Sequence, residues 1–147
     1  MPDDTARLYD LLHVCSTLAL ATVDPAGLPH AANLNFVADD ELAIYWLSSP
    51  ESAHSRHIAQ QPVVAATAHP PFDRPADIRG IQLHGRAEIT PPDRFDALWH
   101  AFCEKFPYAA EMEQRARTQR FYQLRPTWAR LIDNAIHFGF KQEWQLA

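Results

Sequence analysis

Between residues 17 and 47 the chain carries three short segments of strand character joined by tight turns. Thr17–Val23 combines β-branched with small apolar residues and ends at Asp24-Pro25-Ala26-Gly27, where Pro and Gly occupy favoured turn positions. The segment His30–Val37 follows, and the Asp39-Asp40 pair separates it from Glu41–Leu47. Strands this close in sequence pair with their neighbours, so the pattern predicts an antiparallel meander.

The rest of the chain alternates helical patterns with further strands. Helical spacing and start signals predict helices over Thr5–Val14, from an N-cap at Ser49 with Pro50 as the first helical residue to Gln61, from Thr90 to Phe106, and over Ala109–Gln119. Apolar and β-branched runs predict strands over Val63–Ala68, Ile78–Ile89, Phe121–Arg125 and Trp128–Asp133. Clustered strands with few helices indicate a mainly β chain of the α+β class, an antiparallel barrel with helices at its ends.

Length and charge restrict the function classes. A chain of 147 residues without a linker or repeat predicts a single domain over residues 1–147. Its net charge of −5 argues against nucleic acid as a partner, because such binding requires a basic face. No apolar run approaches the ~18 residues of a membrane-spanning helix, and the N-terminus lacks the features of a signal peptide. Cys15 and Cys103 lie in apolar segments and are expected to be buried free thiols, so the expected location is the cytoplasm.

A polar cluster lies where the third strand of the meander gives way to a helix. Three hydroxyls and two basic side chains fall close together in sequence: Ser48, Ser49, Ser52, His54 and Arg56. Backbone N–H groups at a helix N-terminus favour an anion, so this turn can act as a phosphate cradle without a glycine-rich loop. The alternative is a capped surface helix with a solvated basic turn.

Two strands carry amides that need an explanation. Asn33 and Asn35 share one face of a strand, although Asn is depleted in strands. They either satisfy backbone groups at a sheet edge or line a polar ligand site. Gln82 offers a donor and an acceptor on the long strand and is otherwise a solvent-facing residue.

Other catalytic signatures are missing from the sequence. With four glycines the chain contains no P-loop, no G-x-G-x-x-G and no G-x-S-x-G motif. His54 and His57 are spaced like metal ligands on a helix, but no third ligand follows them, so no metal site is predicted. No side chain is identified as a catalytic acid, base or nucleophile.

Four segments together resemble the pyridoxamine phosphate oxidase-like superfamily of split barrels. Ser48-Ser49 leads into His54–Val63, which is similar to the family's phosphate-binding turn and the helix after it. Ile78–Ala87 looks like the strand on which a Gln approaches the flavin, and Arg125–Trp128 resembles the penultimate hairpin. The tail Asn134–Trp144 is similar to a subgroup of short bacterial members without a defined function.

The resemblance implies a split β-barrel that holds FMN at a homodimer interface. On this basis the FMN phosphate is expected to be held by Ser48, Ser49, Ser52, His54 and Arg56. The isoalloxazine ring is expected to be faced by Asn33, Asn35 and Gln82, with Trp128 and Lys141 contributed across the interface. The family's basic pair, often Arg-Lys, is Ala53-His54 here, so phosphate affinity depends on protonated His54 or on Arg56.

The resemblance leaves the reaction open. A flavin-dependent oxidoreductase with an unknown small-molecule substrate is the expected function. The alternatives are a flavin-binding store or sensor that does not turn over, and a relative that binds a deazaflavin or haem. Few basic residues surround His54, which disfavours the polyanionic deazaflavin. The aromatic content of 11% and the tail segment Phe138-Gly139-Phe140 favour a two-fold dimer.

Overall fold

Eight antiparallel strands form one sheet in the computed structural model, which describes residues 4–146. In chain order the strands are β1 Thr17–Val23, β2 Pro29–Asn35, β3 Val37–Ala38, β4 Ile44–Ser48, β5 Val63–Ala68, β6 Arg79–Ile89, β7 Arg120–Asp133 and β8 Lys141–Gln145. The α-helices are α1 Ala6–Val14, α2 Ala53–Gln60, α3 Phe95–Lys105 and α4 Glu113–Ala116, and 3-10 turns cover Pro75–Asp77, Pro92–Arg94 and Pro107–Met112. No helix among the described residues is long and apolar enough to cross a membrane.

The sheet follows the path β2-β1-β5-β6-β7-β4-β3, with β8 paired to β7. The 14-residue β7 is the longest of these strands, and its first half pairs with β4 while its second half pairs with β8. Both halves also pair with β6. Because neighbouring strands twist, a sheet of this order curls around its own apolar face. The result is a split antiparallel barrel of the α+β class, which confirms the predicted fold.

Two apolar clusters hold the elements in place. The larger one fills the inside of the curled sheet, where Leu20, Phe36 and Trp46 have no exposed surface. The smaller one lies between α3 and the outer side of the sheet, where Trp99 packs with Phe121. The apolar face of α3 is therefore part of the core. Both cysteines are free, as expected, although only Cys15 is fully buried and Cys103 is half-buried.

The predicted break between two strands at residues 126–127 is wrong. Arg125 to Trp128 do not form a hairpin but lie within the continuous strand β7. Pro126 has no N–H to donate to the sheet, and the register of β6 against β7 shifts at His84/Gly85, opposite this proline. The bulge absorbs the missing hydrogen bond, so the strand passes through the proline instead of ending there.

The predicted start of α2 is also wrong by three residues. The helix begins at Ala53, and its N-cap is Ser52, whose Oγ accepts a hydrogen bond from the backbone N–H of Ser55 at 3.4 Å. Ser49 instead stabilises a preceding turn, in which its carbonyl oxygen accepts from the backbone N–H of Ser52 at 3.1 Å. Two serines three residues apart offer the same capping chemistry, and only the path of the chain out of β4 selects between them.

Smaller differences occur elsewhere. The predicted helix over Ala109–Gln119 is a 3-10 turn followed by the single-turn helix α4. The predicted strand Glu41–Leu47 begins only at Ile44, because the chain turns at Leu42 with a φ of 68°. The tail forms β8, which no sequence pattern indicated. These segments are short and weakly periodic, so packing determines their conformation.

Candidate functional site

The turn from β4 into α2 brings four of the five predicted phosphate residues together. His54 Nε2 lies 2.8 Å from the buried Ser48 Oγ and 3.2 Å from Ser52 Oγ. Ser52 Oγ is also 2.7 Å from Ser55 Oγ, and the hydroxyl of Ser49 accepts from the backbone N–H of Glu51 at 3.1 Å. We call the four residues Ser48, Ser49, Ser52 and His54 the serine–histidine turn. It places hydroxyls, an imidazole and the N-terminus of α2 in one small polar region.

The surroundings of His54 in this turn favour the neutral form of its imidazole. Burial and the neighbouring His57 both lower the pKa of His54 below its ordinary value of 6.5. Burial acts because it removes water from the imidazolium form, and His57 acts by charge repulsion. The imidazole is therefore neutral at pH 7 unless an anion stabilises the protonated form.

A polar row that the sequence did not indicate lies behind the turn. The buried side chains of Thr22 and His57 are joined by a contact of 2.8 Å between Oγ1 and Nδ1. The ring of His57 lies 4.7 Å from that of His30, whose Nε2 is 3.0 Å from Asp24 Oδ2. These residues come from β1, β2, α2 and a turn, so no local spacing could reveal the row. Of these four residues the sequence pattern points only to His57, which is spaced from His54 like a metal ligand but has no third ligand beside it.

Asn33 and Asn35 line a small cavity beside the serine–histidine turn. The cavity measures about 320 Å³, and Leu47, which precedes Ser48 in β4, forms part of its wall. Trp99 and Tyr108 line the opposite side. Both asparagines are exposed, so their amides remain free to meet a ligand, and they do not satisfy buried backbone.

Gln82 lies on the same side of the sheet as Asn33. Direct register partners run from Asn33 through Ala19 and Thr67 to Gln82, and direct partners share a face of an antiparallel sheet. Three strand spacings separate the two amides by about 14 Å. Gln82 Oε1 accepts a hydrogen bond from Arg130 Nη1 at 3.2 Å.

The remaining predicted residues lie at the far side of this face. The ring of Trp128 is 4.6 Å from that of His84, and the guanidinium of Arg130 lies 5.2 Å above the indole. Arg130 is held in turn by Glu143 at 2.7 Å. Lys141 is exposed at the start of β8 and does not reach the serine–histidine turn within this chain.

Arg56 lies apart from the serine–histidine turn. It lines a larger cavity of about 790 Å³ together with Ser55 and Ala59, which occupy the side of α2 turned away from His54. Of the five predicted phosphate residues, four therefore gather at the turn and Arg56 lies across the helix from them. Within residues 4–146 no group of three or more His, Cys, Asp or Glu side chains is placed to hold a metal ion.

Comparisons with known proteins agree with the fold and identify the family. A family model described as pyridoxamine 5'-phosphate oxidase matches residues 5–133. A UPF0306 protein of Klebsiella pneumoniae is 29% identical over 115 residues, which are 78% of this chain and 75% of that protein. A pyridoxine/pyridoxamine 5'-phosphate oxidase of Ectopseudomonas mendocina is 33% identical over 97 residues, which cover 66% of this chain but only 43% of the oxidase.

Solved structures share the fold at lower identity. A heme binding protein from Mycobacterium smegmatis superposes with a TM-score of 0.81 and 18% identity, covering 99% of this chain and 59% of that one. At this level of identity the similarity concerns the fold alone. The ligand has to be argued from the residues of this chain.

Proposed function

The chain belongs to the pyridoxamine 5'-phosphate oxidase family, and we propose that it binds FMN as a cytoplasmic homodimer and acts as a flavin-dependent oxidoreductase on a small-molecule substrate. The observation that carries the proposal is the gathering of Ser48, Ser49, Ser52 and His54 at the N-terminus of α2, one residue along the chain from Leu47 in the wall of the cavity that Asn33 and Asn35 line. A phosphate group bound at the turn would leave the ring of the same molecule to extend towards that cavity.

The turn has the chemistry that a phosphate monoester requires. The first turn of α2 leaves backbone N–H groups outside the helical hydrogen-bond ladder, and the helix dipole favours negative charge there. Ser49 and Ser52 add hydroxyl donors. His54 would supply a positive charge, because a bound phosphate favours the protonated imidazole. The hydroxyl of Ser48 holds this imidazole in position. The residues present therefore fit the phosphate of FMN.

The adjoining cavity fits one edge of a flavin ring. The amides of Asn33 and Asn35 each offer a donor and an acceptor, and the ring edge alternates the same two functions. The small side chains of Ala19 and Thr67 leave a flat strip that leads from Asn33 towards Gln82. When bound, the flavin supplies the redox chemistry, while these side chains orient it and set its polarity.

A second copy of the chain is the proposed cover for this strip. Ala21 and Ala65 remain partly exposed in the middle of the sheet, and Trp128 stands at the far side of the same face. Phe138 in the loop before β8 is 76% exposed, which is unusual for so large an apolar side chain. Pairing two such faces would bury the strip and bring Trp128 and Lys141 of one protomer towards the site of the other.

Titration of the purified protein with FMN and with riboflavin tests the proposal. We expect FMN to bind at least ~10-fold more tightly, since charge-assisted hydrogen bonds to a phosphate contribute about 1.5–3 kcal/mol each. Ser49→Ala should reduce this preference, whereas Thr118→Ala, on an exposed turn elsewhere, should leave it unchanged. Equal affinity for the two flavins would contradict the assignment of the serine–histidine turn as the phosphate site.

Two other functions are separated by simple optical measurements. A haem protein of this fold is the second candidate, because a protein of that description shares nearly the whole of this chain's fold. The absorbance of oxidised flavin in the purified protein favours FMN, and a Soret band favours haem. Anaerobic addition of NADH or NADPH distinguishes a reductase, whose flavin bleaches, from a protein that only stores or senses flavin.

A further inference from the structure

The cavity of about 790 Å³ beside α2 has no role in the proposed flavin site. Three arginines line it, Arg56, Arg86 and Arg125, and we call it the arginine cavity. We propose that the arginine cavity is a second ligand site, which binds a small anion with an apolar body, such as a medium-chain carboxylate. The proposal goes beyond flavin binding and does not depend on it.

The charge in the arginine cavity is unbalanced. The three guanidinium groups face one carboxylate among the lining residues, that of Glu88. Within the described part of the chain none of the three arginines has a carboxylate within ion-pair distance, whereas Arg74, Arg117 and Arg130 each have one. The whole chain carries a net charge of −5, so this local positive excess runs against the overall composition.

Two of the arginines stand opposite each other on neighbouring strands. Arg86 of β6 and Arg125 of β7 are direct register partners, and both are exposed. Like charges directly opposite on neighbouring strands destabilise a sheet. An anion between them would replace this repulsion with two charge-assisted hydrogen bonds. The pair is thus unfavourable in the free protein and favourable around an anion.

The walls of the cavity are apolar, which specifies the rest of the ligand. Ile58 of α2, Ala87 of β6 and Tyr122 of β7 line it, together with Pro62 and Pro126. An inorganic anion alone would leave the apolar walls of the cavity exposed to water. A ligand with a hydrocarbon or aromatic body buries them and gains the hydrophobic contribution of its own surface.

The arginine cavity is separate from the serine–histidine turn. Arg56 and Ala59 are three residues apart on one side of α2, while His54 and His57 are three apart on the other. The helix therefore stands between the arginines and the two histidines, and the sites approach each other at Ser55, which lines the cavity and accepts a hydrogen bond from Ser52 Oγ at 2.7 Å. Both can be occupied at once, and changes at Arg86 or Arg125 leave the flavin residues untouched.

Calorimetric titration with decanoate tests the proposal. We expect saturable binding that weakens as salt is added, and much weaker binding of decanol and of decyltrimethylammonium, which lack the negative charge. Arg86→Gln and Arg125→Gln should each weaken decanoate binding about 10-fold, since each removes a charged hydrogen-bond donor. Ala59→Trp should block the cavity from the exposed surface of α2. Arg74→Gln is the matched control and should bind as the parent protein does.

Three results would overturn the proposal: decanol binding as tightly as decanoate, parental decanoate affinity in both arginine variants, or displacement of decanoate by FMN. Misfolding is excluded by thermal unfolding without ligand, in which Arg86→Gln should be at least as stable as the parent because one like-charge contact is gone. Titration of the same variants with FMN distinguishes the decanoate site from the flavin site. We expect these variants to lose decanoate binding and to keep the FMN affinity of the parent protein.

Discussion

Lys105 has a buried amine at the C-terminal end of α3. Among the described residues its Nζ has no hydrogen-bond partner, and it lies 4.1 Å above the ring of Phe36. Burial lowers the pKa of Lys105 from 10.5 to about 8. An unpaired buried polar group destabilises a fold, and here the contact with Phe36 and a longer one of 5.6 Å with the ring of Phe106 offset part of this effect.

Replacing this lysine by an apolar residue of similar length should therefore stabilise the protein. We expect Lys105→Met to raise the free energy of unfolding by roughly 1–2 kcal/mol at pH 7. The unfolded lysine holds its proton up to pH 10.5 and the folded one only to about pH 8, so the parent protein gains stability as pH rises between these values. The advantage of the variant should shrink over the same range. Urea titrations at pH 7 and pH 10 measure it, with the exposed Lys141→Met as control, and a less stable variant at pH 7 would show that the ring contact dominates.

The charge of His54 leads to a second prediction at this scale. In the free protein its pKa is lowered by burial and by His57, whereas a bound phosphate favours the imidazolium form and raises it. Binding thus takes up a proton, and FMN affinity should fall as pH rises from about 6 to 8. The second ionisation of the phosphate, near pKa 6, acts in the opposite direction.

Substitutions separate the two ionisations. His54→Lys should keep FMN binding and flatten its pH dependence, while His54→Ala should weaken binding most at pH 6. Fluorescence titrations across the range measure both. An unchanged dissociation constant for His54→Ala at pH 6 would leave the serines and the helix N-terminus as the phosphate site.

At the scale of elements, the close approach of β6 to β7 depends on Gly85. A Cβ at this position would overlap the carbonyl oxygen of Arg125 and come within 2.8 Å of Leu124 Cδ1. Backbone cannot move away as a flexible side chain can, so Gly85→Ala should destabilise the protein by about 3 kcal/mol or more. In Gly80→Ala, in the same strand, the new Cβ would lie 3.2 Å from Ala68 O and 3.5 Å from His69 Cβ, so the substitution should destabilise the protein far less. Denaturant unfolding of the two variants compares them directly, and equal stability would mean that β7 can shift at the bulge.

At the scale of the whole molecule, the exposed strip on the sheet predicts assembly. Ala65 lies in β5 between the β1 and β6 parts of this face and is partly exposed. Light scattering at micromolar concentration should give twice the mass of the chain. Ala65→Arg places a charge in the proposed interface and should yield a folded monomer with weakened FMN binding. A monomeric parent protein that still binds FMN would contradict a site shared between protomers.

Local patterns were sufficient for most of the elements and for the fold class. The bounds of β1 and β5 agree with the residue ranges that β-branched runs and turn signals predicted, and α1 agrees closely with its apolar spacing. The helix α3 ends where its spacing predicted but begins at Phe95 instead of Thr90, after a 3-10 turn. These signals are local because each depends on the period of one element and on the residues that end it. The serine–histidine turn could be recognised for the same reason, since its residues lie within seven positions of one another.

The tertiary structure alone decided which of these residues meet. The continuity of β7 through Pro126 depends on a bulge at Thr127, which forms against His84 and Gly85 of β6, some forty residues earlier in the chain. The contact of Thr22 with His57, the opposition of Arg86 and Arg125, and the separation of Arg56 from His54 arise in the same way, from strand register and helix orientation. Strand register is set by the packing of whole sheet faces against a common core, so it cannot be predicted from a single residue. The types of these residues were therefore determined by the sequence, and their division into two separate groups by the fold.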